Sequence, residues 1–412
     1  MIRKIMSKIV RHTQKKKRKI SFSKEAYAQE VRERIKFDIK DGLRHVVPYE
    51  YIYYVYAKKR WIDRKVLDVF SEEFRKSVRK DPRTYFTEVI EKGLLTVNGE
   101  KIDLDTYVNV SLSLPQDYLT VLFENRKVRP GDRLGHGVIR SEPPVSGAEI
   151  RVLHEDDDIL VVDKPPSIPV HPCGQFHFNT LLEILNIEHL KAKSRLYTVH
   201  RLDLVTSGVV VFAKSSTMSN KIAREIREHN VTKKYVARVR GVFPVKGEDV
   251  KSSCLKTCPK ATYEWQDDGR LRVSVGIQRV SAIDGTYGCH DDGKESVSLF
   301  RRVKVLGDDV SVVECEPVTG RTHQLRLHLQ FLGFPIENDS MYGGEHDPTT
   351  QRPKVFSVTK GMEGRNSPST KEEEEDDGRE EKRQPTSIFL HSMEFTLGKK
   401  TYKADLPTWT GM

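Results

Sequence analysis

The sequence contains little cysteine, and the spacing of its cysteines fits neither disulfides nor a common metal site. It has five cysteines among 412 residues, an odd number, and no two of them form a C-x-x-C pair. We therefore expect no disulfide framework, and the cysteine usage favours a reducing compartment. Cys254, Cys258, Cys289 and His290 could suggest zinc, but free thiols in a loop are favoured on this spacing. No metal ligand is predicted.

Long apolar runs are also missing, and acidic residues do not balance the basic ones. The strongly apolar runs are as short as Ile159–Val162 and Val209–Ala213, whereas a helix that spans a bilayer needs about 20 apolar residues. We therefore predict no membrane span. With 37% apolar residues a packed body is possible. The net charge of +11 suits a polyanionic partner such as nucleic acid or an anionic membrane surface.

The basic charge is concentrated at the beginning of the chain. Residues 1–19 hold nine Lys or Arg and no acid. Residues 1–24 lack apolar periodicity and are predicted to form a disordered basic arm. The run Lys15–Lys19 is typical of a nuclear localisation signal or an RNA-contacting tail, which favours the nucleus or cytoplasm. The acid-free stretch Met1–Arg11 also fits a mitochondrial presequence, and a solvated tail without an address is a third interpretation.

A tyrosine-rich segment follows the arm, within a region that we assign to residues 25–63. Over residues 48–61 tyrosines are interleaved with lysine and arginine. Such rings can stack on bases while the cations hold phosphates. An aromatic flap packed against the protein body fits the same pattern equally well, so the sequence alone leaves both interpretations open.

A small α/β unit is predicted over residues 64–134. Apolar residues recur every four positions over Val66–Val78, which predicts a helix over 62–80. A second helix fits 84–92, and the pair Asn98-Gly99 predicts a hairpin. This order of elements resembles the small RNA-binding fold of the ribosomal-protein S-four type. A purely structural appendage would show the same pattern.

The remainder of the chain, residues 149–412, is predicted to form one mixed α+β body. Strands are expected at 149–153, 159–163, 208–213, 233–240, 297–305 and 310–316, and helices at 179–189, 216–229 and 320–332. They do not alternate as regular βαβ units, which argues against a parallel sheet. Residues 345–386 are polar and contain an acidic run, and we predict that they form a disordered insertion in a surface loop.

The stretch His200–Gly208 holds the strongest chemical signal and reads His-Arg-Leu-Asp-Leu-Val-Thr-Ser-Gly. It predicts a polar turn that leads into the buried strand at 208–213. Asp203 lies in this turn beside Arg201, and nearby positive charge favours an ionised carboxylate. An ionised carboxylate in a cleft can act as a nucleophile or a base. On spacing alone, however, an Arg-x-Asp pair is more often a structural ion pair.

The same stretch resembles the His-Arg-Leu-Asp-x-x-Thr-Ser-Gly motif of the RluA-type pseudouridine synthases. Three further segments match motifs of that family in the same order, and they are Asp158–Pro166 with Val170–Pro172, Lys233–Ala237 and Pro317–Leu329. The family's final strand fits residues 387–396. The resemblance implies the fold of that family, a mixed and mainly antiparallel central sheet.

The resemblance also implies catalytic roles for three residues. Asp203 matches the catalytic aspartate, and Tyr235 matches the tyrosine that stacks on the target base and helps to move its C5 proton. Arg321 matches the arginine that pairs with the aspartate. On the residues alone, Tyr235 also fits a core aromatic on a strand, and Arg321 also fits a phosphate contact at a helix N-terminus.

Further positions of the motifs imply contacts with the substrate. Arg201 matches the arginine that is associated with flipping the base and filling the gap it leaves, and Leu325 matches the apolar residue that lines the pocket. His200, Thr206 and Gly208 complete the aspartate motif and are predicted to lie at the substrate.

The implied reaction is the isomerisation of uridine to pseudouridine in RNA. The base leaves the stack, loses its N1 glycosidic bond, rotates and reattaches through C5, so the pocket needs apolar and aromatic walls. The reaction requires no redox partner, group donor or metal, and we therefore predict no cofactor. RNA is the expected partner, and the protein is expected to be a monomer.

Within this family the chain is most similar to the eukaryotic subgroup that modifies tRNA, typically at uridine 32 of the anticodon loop. The residues that carry this similarity include Gly42–Arg44, Arg60–Trp61, Glu142–Val145, His154–Asp158 and Pro169–Gly174. The resemblance therefore implies tRNA as the substrate. A synthase acting on rRNA or mRNA, a non-catalytic RNA-binding or chaperone protein and a base-releasing glycosylase are the alternatives.

Some members of this subgroup also carry a zinc deaminase domain. Such a domain needs H-x-E and P-C-x-x-C elements. Here Pro172-Cys173 is followed by Phe176 where the second cysteine would stand, and no H-x-E lies nearby. We therefore predict no deaminase activity.

Overall fold

The computed structural model describes residues 32, 35–62, 64–75, 78, 81–102, 131–190, 195–250, 258–281, 285–343 and 387–412. The predicted basic arm (1–24), the predicted acidic insertion (345–386) and Cys254 lie outside these ranges.

A small N-terminal unit is built on a four-stranded sheet with strand order β3-β6-β4-β5. Its elements are β3 (Tyr49–Tyr56), α1 (Val66–Glu73), α2 (Pro82–Glu91), β4 (Leu95–Val97), β5 (Glu100–Lys101) and β6 (Arg133–Arg140). Helix α2 begins where the Asp81 carboxylate accepts a hydrogen bond from the Thr84 N–H at 2.8 Å. Phe70, Phe86 and Leu134 are buried between the helices and the sheet, so this unit has a core of its own.

The small unit partly matches the sequence predictions. In the described part of the predicted range 62–80, the α-helix covers Val66–Glu73 and is therefore shorter than predicted. The hairpin is confirmed, since Asn98 and Gly99 have φ values of 54° and 89°, as the tight turn between β4 and β5 requires. The boundary predicted at residue 63 is wrong, because β3 pairs with β6 along its whole length and therefore belongs to this sheet.

A second small sheet connects this unit to the rest of the protein. It consists of β1 (Phe37–Lys40), β2 (Leu43–Val46) and β7 (Val145–Ser146). The buried Arg44 donates to the Asn179 side chain at 2.6 Å. The Glu142 carboxylate accepts hydrogen bonds from Tyr49 Oη and from the backbone N–H groups of residues 177–179, at 2.5 to 2.9 Å. These buried polar contacts fix the small unit against the large one.

The large unit contains an eleven-stranded sheet with the order β13-β14-β17-β18-β12-β19-β11-β9-β8, to which β10 and β20 add at β11 and β19. Its strands are β8 (Arg151–Glu155), β9 (Ile159–Lys164), β10 (Tyr197–Thr198), β11 (Ser207–Ala213), β12 (Val231–Arg240), β13 (Thr262–Trp265), β14 (Leu271–Ser274), β17 (Val297–Leu306), β18 (Val310–Pro317), β19 (Leu390–Leu397) and β20 (Lys400–Lys403). The separate pair β15 (Ile277–Arg279) and β16 (Tyr287–Cys289) lies between β14 and β17 in the chain.

Helices cover both faces of the large sheet. They are α3 (Leu181–Ile184), which continues as a wider turn over Leu185–His189, α4 (Ser216–Arg227) and α5 (Gln324–Phe331), and a short 3-10 turn lies at Thr408–Thr410. Along β11, Val210 and Phe212 face the core beneath α3 and α5, whereas Val209 and Val211 face α4. This alternation places two apolar cores on opposite faces of one sheet.

The predicted α+β class is confirmed, because the sheet is mainly antiparallel and only the pair β11–β19 is parallel. Strand positions agree with the predictions, whereas β13 to β16 were not predicted. In the described ranges, no helix has the length and apolar character to cross a membrane. Cys173 and Cys315 are free thiols, and the described residues contain no cluster of three or more His, Cys, Asp or Glu that could hold a metal.

Candidate active site

Asp203 lies in the loop between β10 and β11, and a buried lysine holds this loop in place. Lys164 at the end of β9 is completely buried and donates to the Leu204 carbonyl at 3.2 Å. It also donates to the carbonyls of Pro165 and Ile168 at 2.9 and 2.8 Å. Burial lowers the pKa of Lys164 to about 7, and the charge of Asp203 acts in the opposite direction. Lys164 thus fixes the backbone next to Asp203.

Two motif residues after Asp203 have roles in the backbone structure. Gly208 has a φ of 110°, and a Cβ at this position would lie 2.2 Å from the Ser392 carbonyl oxygen. Only glycine therefore allows β11 to pass so close to β19. Thr206 is 2% exposed, its N–H donates to the Asp203 carbonyl at 3.2 Å, and its hydroxyl has no partner within the described part of the chain. These are structural roles, and the contacts of Thr206 and Gly208 with the substrate stay predictions.

The Asp203 carboxylate is only partly exposed and lies beside a buried guanidinium. Its side chain is 19% exposed, and Arg326 Nη1 donates to its Oδ2 at 3.3 Å. Arg326 also binds both oxygens of Asp339, at 2.6 and 2.8 Å, and is 5% exposed. A buried charge of this kind requires such partners. The fork of Arg326 therefore fixes its position while one nitrogen remains for Asp203.

The prediction that Arg321 pairs with the aspartate is wrong. Arg321 is exposed, and its Nε donates to the Glu295 carbonyl at 3.1 Å. The segment Gly-Arg-Thr-His-Gln-Leu-Arg contains two arginines, and only the second lies within α5, on the side that faces Asp203. The first lies before the helix, where its N–H donates to the Gln324 side chain. Arg326, which the sequence analysis missed, takes the predicted role.

An aromatic group borders the carboxylate on another side. His323 Nε2 lies 3.9 Å from Asp203 Oδ2, and His323 Nδ1 is 2.7 Å from the hydroxyl of Tyr342. That hydroxyl accepts the Tyr287 N–H at 3.3 Å, and the Tyr342 ring lies 4.8 Å from the Arg326 guanidinium. Burial lowers the pKa of His323, and the charge of Asp203 opposes this. The group was not predicted, because its members come from separate segments.

Tyr235 and Leu325 supply the apolar side of the site. Both are buried, and they share one apolar cluster with Leu202. Burial raises the pKa of the Tyr235 phenol well above its ordinary value. A hydrogen bond with Ser392 opposes this shift, and the charge of Asp203 adds to it. The phenol is therefore neutral at physiological pH and lies within the field of Asp203, while the roles assigned to Tyr235 and Leu325 stay predictions.

Arg201 lies two positions before Asp203, and its side chain is exposed. Burial lowers the pKa of His171, and the charge of Arg201 contributes in the same direction. The same charge partly offsets the rise in the pKa of the Cys173 thiol that burial causes. Arg201 is thus a cation beside the turn at Cys173, and its contact with RNA stays a prediction.

His200 does not point into the site. Its Nε2 accepts a hydrogen bond from the Val211 N–H at 3.0 Å, and its ring stacks on Phe395 with centroids 4.7 Å apart. Val211 and Phe395 belong to the core beneath α4, on the face opposite to Tyr235. Its predicted contact with the substrate is therefore wrong, and the residue anchors the strand instead.

Acid should destabilise the protein through His200. Burial lowers the pKa of His200 to about 3, so the folded state stays neutral while the unfolded state takes up a proton near pH 6.5. The contribution of the neutral His200 to the free energy of unfolding is present above about pH 6.5. It is lost as the pH falls towards 3, by up to about 1.4 kcal/mol per pH unit. Urea unfolding at about pH 7 and about pH 5 should show a smaller loss for His200→Gln than for wild type. The exposed His290→Gln should behave as wild type, and equal losses in all three would contradict this account.

Comparison with known proteins places these residues in a family. The RNA pseudouridylate synthase family matches residues 158–331. Pseudouridylate synthase RPUSD2 of Mus musculus is 38% identical over 81% of this chain and 51% of its own length. Two proteins of Saccharomyces cerevisiae also match. The tRNA pseudouridine(32) synthase, mitochondrial, is 34% identical over 74% of this chain and 56% of its own length. The tRNA pseudouridine(31) synthase is 31% identical over 74% of this chain and 72% of its own length.

These likenesses extend well beyond the four motifs, although the chain spans only about half the length of the mouse relative. The yeast protein named for position 31 is covered over 72% of its length. The matched region includes Asp203, Tyr235 and Arg326. The chain belongs to the RNA pseudouridylate synthase family.

Proposed function

We propose that this chain isomerises uridine to pseudouridine in tRNA, at uridine 32 of the anticodon loop. The observation that carries this proposal is the position of the Asp203 carboxylate. It lies 3.3 Å from the buried Arg326 guanidinium, and its charge acts on the buried phenol of Tyr235. A carboxylate, a neutral phenol and an apolar wall at Leu325 match the needs of the reaction.

The chemistry assigns a task to each of these groups. Asp203 can attack C1′ of the ribose or take a proton from C2′, and either route releases N1 of uracil. Arg326 orients the carboxylate and offsets its charge in a partly closed site. The uracil then rotates between Tyr235 and Leu325 and bonds to C1′ through C5. On the first route the bond between C1′ and the Asp203 oxygen breaks in this step, and on the second route Asp203 returns the proton to C2′. The C5 proton must leave last, and a neutral Tyr235 phenol near Asp203 can pass it on.

The complete set of groups favours catalysis over RNA binding alone. A protein that had lost the activity would be free to lose the aspartate, the tyrosine or the arginine. All three are present, and the buried Arg326 is held between Asp203 and Asp339 by hydrogen bonds. RNA binding without turnover would need no such arrangement.

The choice of tRNA is supported by two relatives. One is named as a tRNA pseudouridine(32) synthase and the other as a tRNA pseudouridine(31) synthase. The two names give adjacent positions of tRNA. We favour position 32 because Gly42–Arg44, Glu142–Val145 and Pro169–Gly174 resemble the subgroup that typically modifies uridine 32. We further propose that the protein acts as a monomer in the nucleus or cytoplasm. The relative named for position 32 is mitochondrial, so mitochondrial tRNA is the alternative.

The direct test is a map of pseudouridines in total RNA from cells with and without this protein. Carbodiimide labelling followed by sequencing should lose one signal in an anticodon loop. Wild type should restore it, and Asp203→Ala should not. The tRNA that loses its signal also identifies the compartment. A lost signal only in rRNA or mRNA would replace the tRNA substrate, and no lost signal in any RNA would contradict the proposed activity.

A further inference from the structure

One face of the sheet in the small unit carries a row of tyrosines next to an arginine. Strand β3 pairs with β6 without a register shift, so Tyr49, Tyr51 and Tyr53 point to one face together with Arg140. The ring centroids of Tyr51 and Tyr53 are 4.8 Å apart, and Arg140 lies 4.9 and 5.6 Å from them. We call this the tyrosine face. Tyr56 lies on the opposite face of the same strand.

The tyrosine face is covered at both ends and open in the middle. At one end Tyr49 packs on Phe178 and Tyr51 on His177 of the large unit, with centroids 5.0 and 5.3 Å apart. At the other end His136 lies beneath Tyr85 and Phe86 of α2. Between these ends Tyr53 remains 44% exposed. The open part is therefore a gap between α2 and the large unit, and aromatic rings form its floor.

A hydrogen-bonded turn connects the tyrosine face to the surroundings of Arg201. Arg140 Nη2 donates to the carbonyls of Gly174 and Gln175, each at 3.0 Å. These carbonyls form the tip of the turn that begins at Cys173, and Cys173 lies within the field of Arg201. One turn therefore separates the tyrosine face from the cation beside Asp203. In the described part of the chain, Arg140 donates to these carbonyls and to no carboxylate.

We propose that the tyrosine face binds the single-stranded nucleotides next to the target uridine, with a base stacked on Tyr53. This inference rests on the proposed function, because it assigns a further part of the same RNA substrate to the surface. Exposed rings beside arginine are suited to stacking on bases while the cation attracts the phosphates. Among the residues that the structure describes, the tyrosine face carries no unoccupied carboxylate, since Glu50 lies on the opposite face and the Glu142 carboxylate is occupied by Tyr49 and backbone N–H groups. RNA therefore fits this surface better than a basic partner.

The test compares two exposed tyrosines of one strand. Tyr53 is 44% exposed on the tyrosine face, and Tyr56 is 68% exposed on the opposite face. Both variants are made in the full chain with Asp203→Asn, so that the RNA stays unmodified during binding. The probe is an unmodified tRNA transcript with uridine at positions 31 and 32. Tyr53→Ala should raise its Kd by about tenfold, the loss of one stacked base. Tyr53→Phe should bind as the parent, because stacking does not require the hydroxyl.

Tyr56→Ala is the control that shows whether the change in Kd is specific to the tyrosine face. Tyr56→Ala should change the Kd by less than about twofold. Equal losses for Tyr53→Ala and Tyr56→Ala, or no loss for either, would overturn the proposal. Photo-crosslinking of the wild-type chain to the same transcript carrying 5-bromouridine next to position 32 covers the case in which Tyr53→Ala fails to fold. Crosslinks at Tyr51 or Tyr53 support the proposal, and crosslinks that avoid the tyrosine face contradict it.

The two proposals can fail separately. If wild type forms no pseudouridine but Tyr53→Ala still loses binding selectively, only the proposed function is wrong. If wild type forms pseudouridine and the two tyrosine variants bind alike, only this inference is wrong.

Discussion

Replacing Asp203 by Asn should lower the turnover of a tRNA substrate at least about a thousandfold, while RNA binding stays within about twofold. The amide has nearly the same shape as the carboxylate and can still approach Arg326, which lies 3.3 Å away. It cannot attack C1′ or take up a proton. The loss should therefore appear in kcat and leave the Kd for RNA unchanged.

A matched variant separates the role of this carboxylate from that of charge in general. Asp308→Asn removes an exposed carboxylate in the turn between β17 and β18 of the same sheet. It should keep wild-type turnover. Steady-state assays and filter binding on the same preparations make the comparison. A fully active Asp203→Asn protein, or equal losses for both variants, would contradict the role assigned to Asp203.

Replacing Arg326 by Ala should reduce both stability and activity. The substitution leaves the buried Asp339 carboxylate without its two hydrogen bonds and leaves Asp203 without its cation. Breaking a buried ion pair from one side costs about 3–5 kcal/mol of unfolding free energy. Arg326→Lys keeps the charge but cannot bind both oxygens of Asp339, so an intermediate loss is expected. Urea unfolding and turnover assays measure the two effects.

Arg321→Ala is the control, since it comes from the same motif. Its side chain is exposed and donates to one carbonyl, so the unfolding free energy should change by less than about 0.5 kcal/mol. Turnover should also be retained. If Arg321→Ala abolished activity while Arg326→Ala did not, the assignment of the pairing arginine to Arg326 would be wrong.

Arg321 and Arg326 show which part of the site could be predicted from the sequence and which part could not. The motif predicts that an arginine faces Asp203, but it does not show which of two candidates has the correct direction. That direction depends on where α5 begins, and it begins at Gln324 after His323 adopts a left-handed conformation with a φ of 57°. Helix boundaries are weakly encoded in local sequence. The loop that carries Asp203 was predicted well because its residues are consecutive.

Contacts between distant segments explain the other differences. Lys164 donates to the carbonyl of Leu204, which lies 40 positions later in the sequence, and no local sequence pattern predicts this hydrogen bond. No local pattern shows why position 208 must be glycine either, because the close contact comes from Ser392 on a neighbouring strand. His200 was assigned to the substrate because it lies in the motif, but its hydrogen bond with the Val211 N–H and its stacking on Phe395 hold it against the other core. Such roles follow from the pairing of distant strands, which cannot be derived from the local sequence.

The strands β13 to β16 were missed for a related reason. Their segments are short and polar on one side, and turns rich in glycine and aspartate separate them. Local preference for strand is weak in such segments, and pairing with β17 makes β14 a strand. On the sequence alone, the tyrosines of β3 fitted both stacking on RNA bases and an aromatic flap. The register with β6 shows which rings share a face, and Tyr53 and Tyr56 are exposed.

The measurement that tests the central claim most directly follows both the C5 hydrogen and the base in one reaction. The purified full chain is incubated with a tRNA transcript that carries tritium at C5 of its uridines, and the products are digested to nucleosides. We predict that each tritium released to water is matched by one pseudouridine, that no free uracil appears, and that Asp203→Asn releases none. Free uracil in place of pseudouridine, or tritium release by the pure Asp203→Asn protein, would contradict the account.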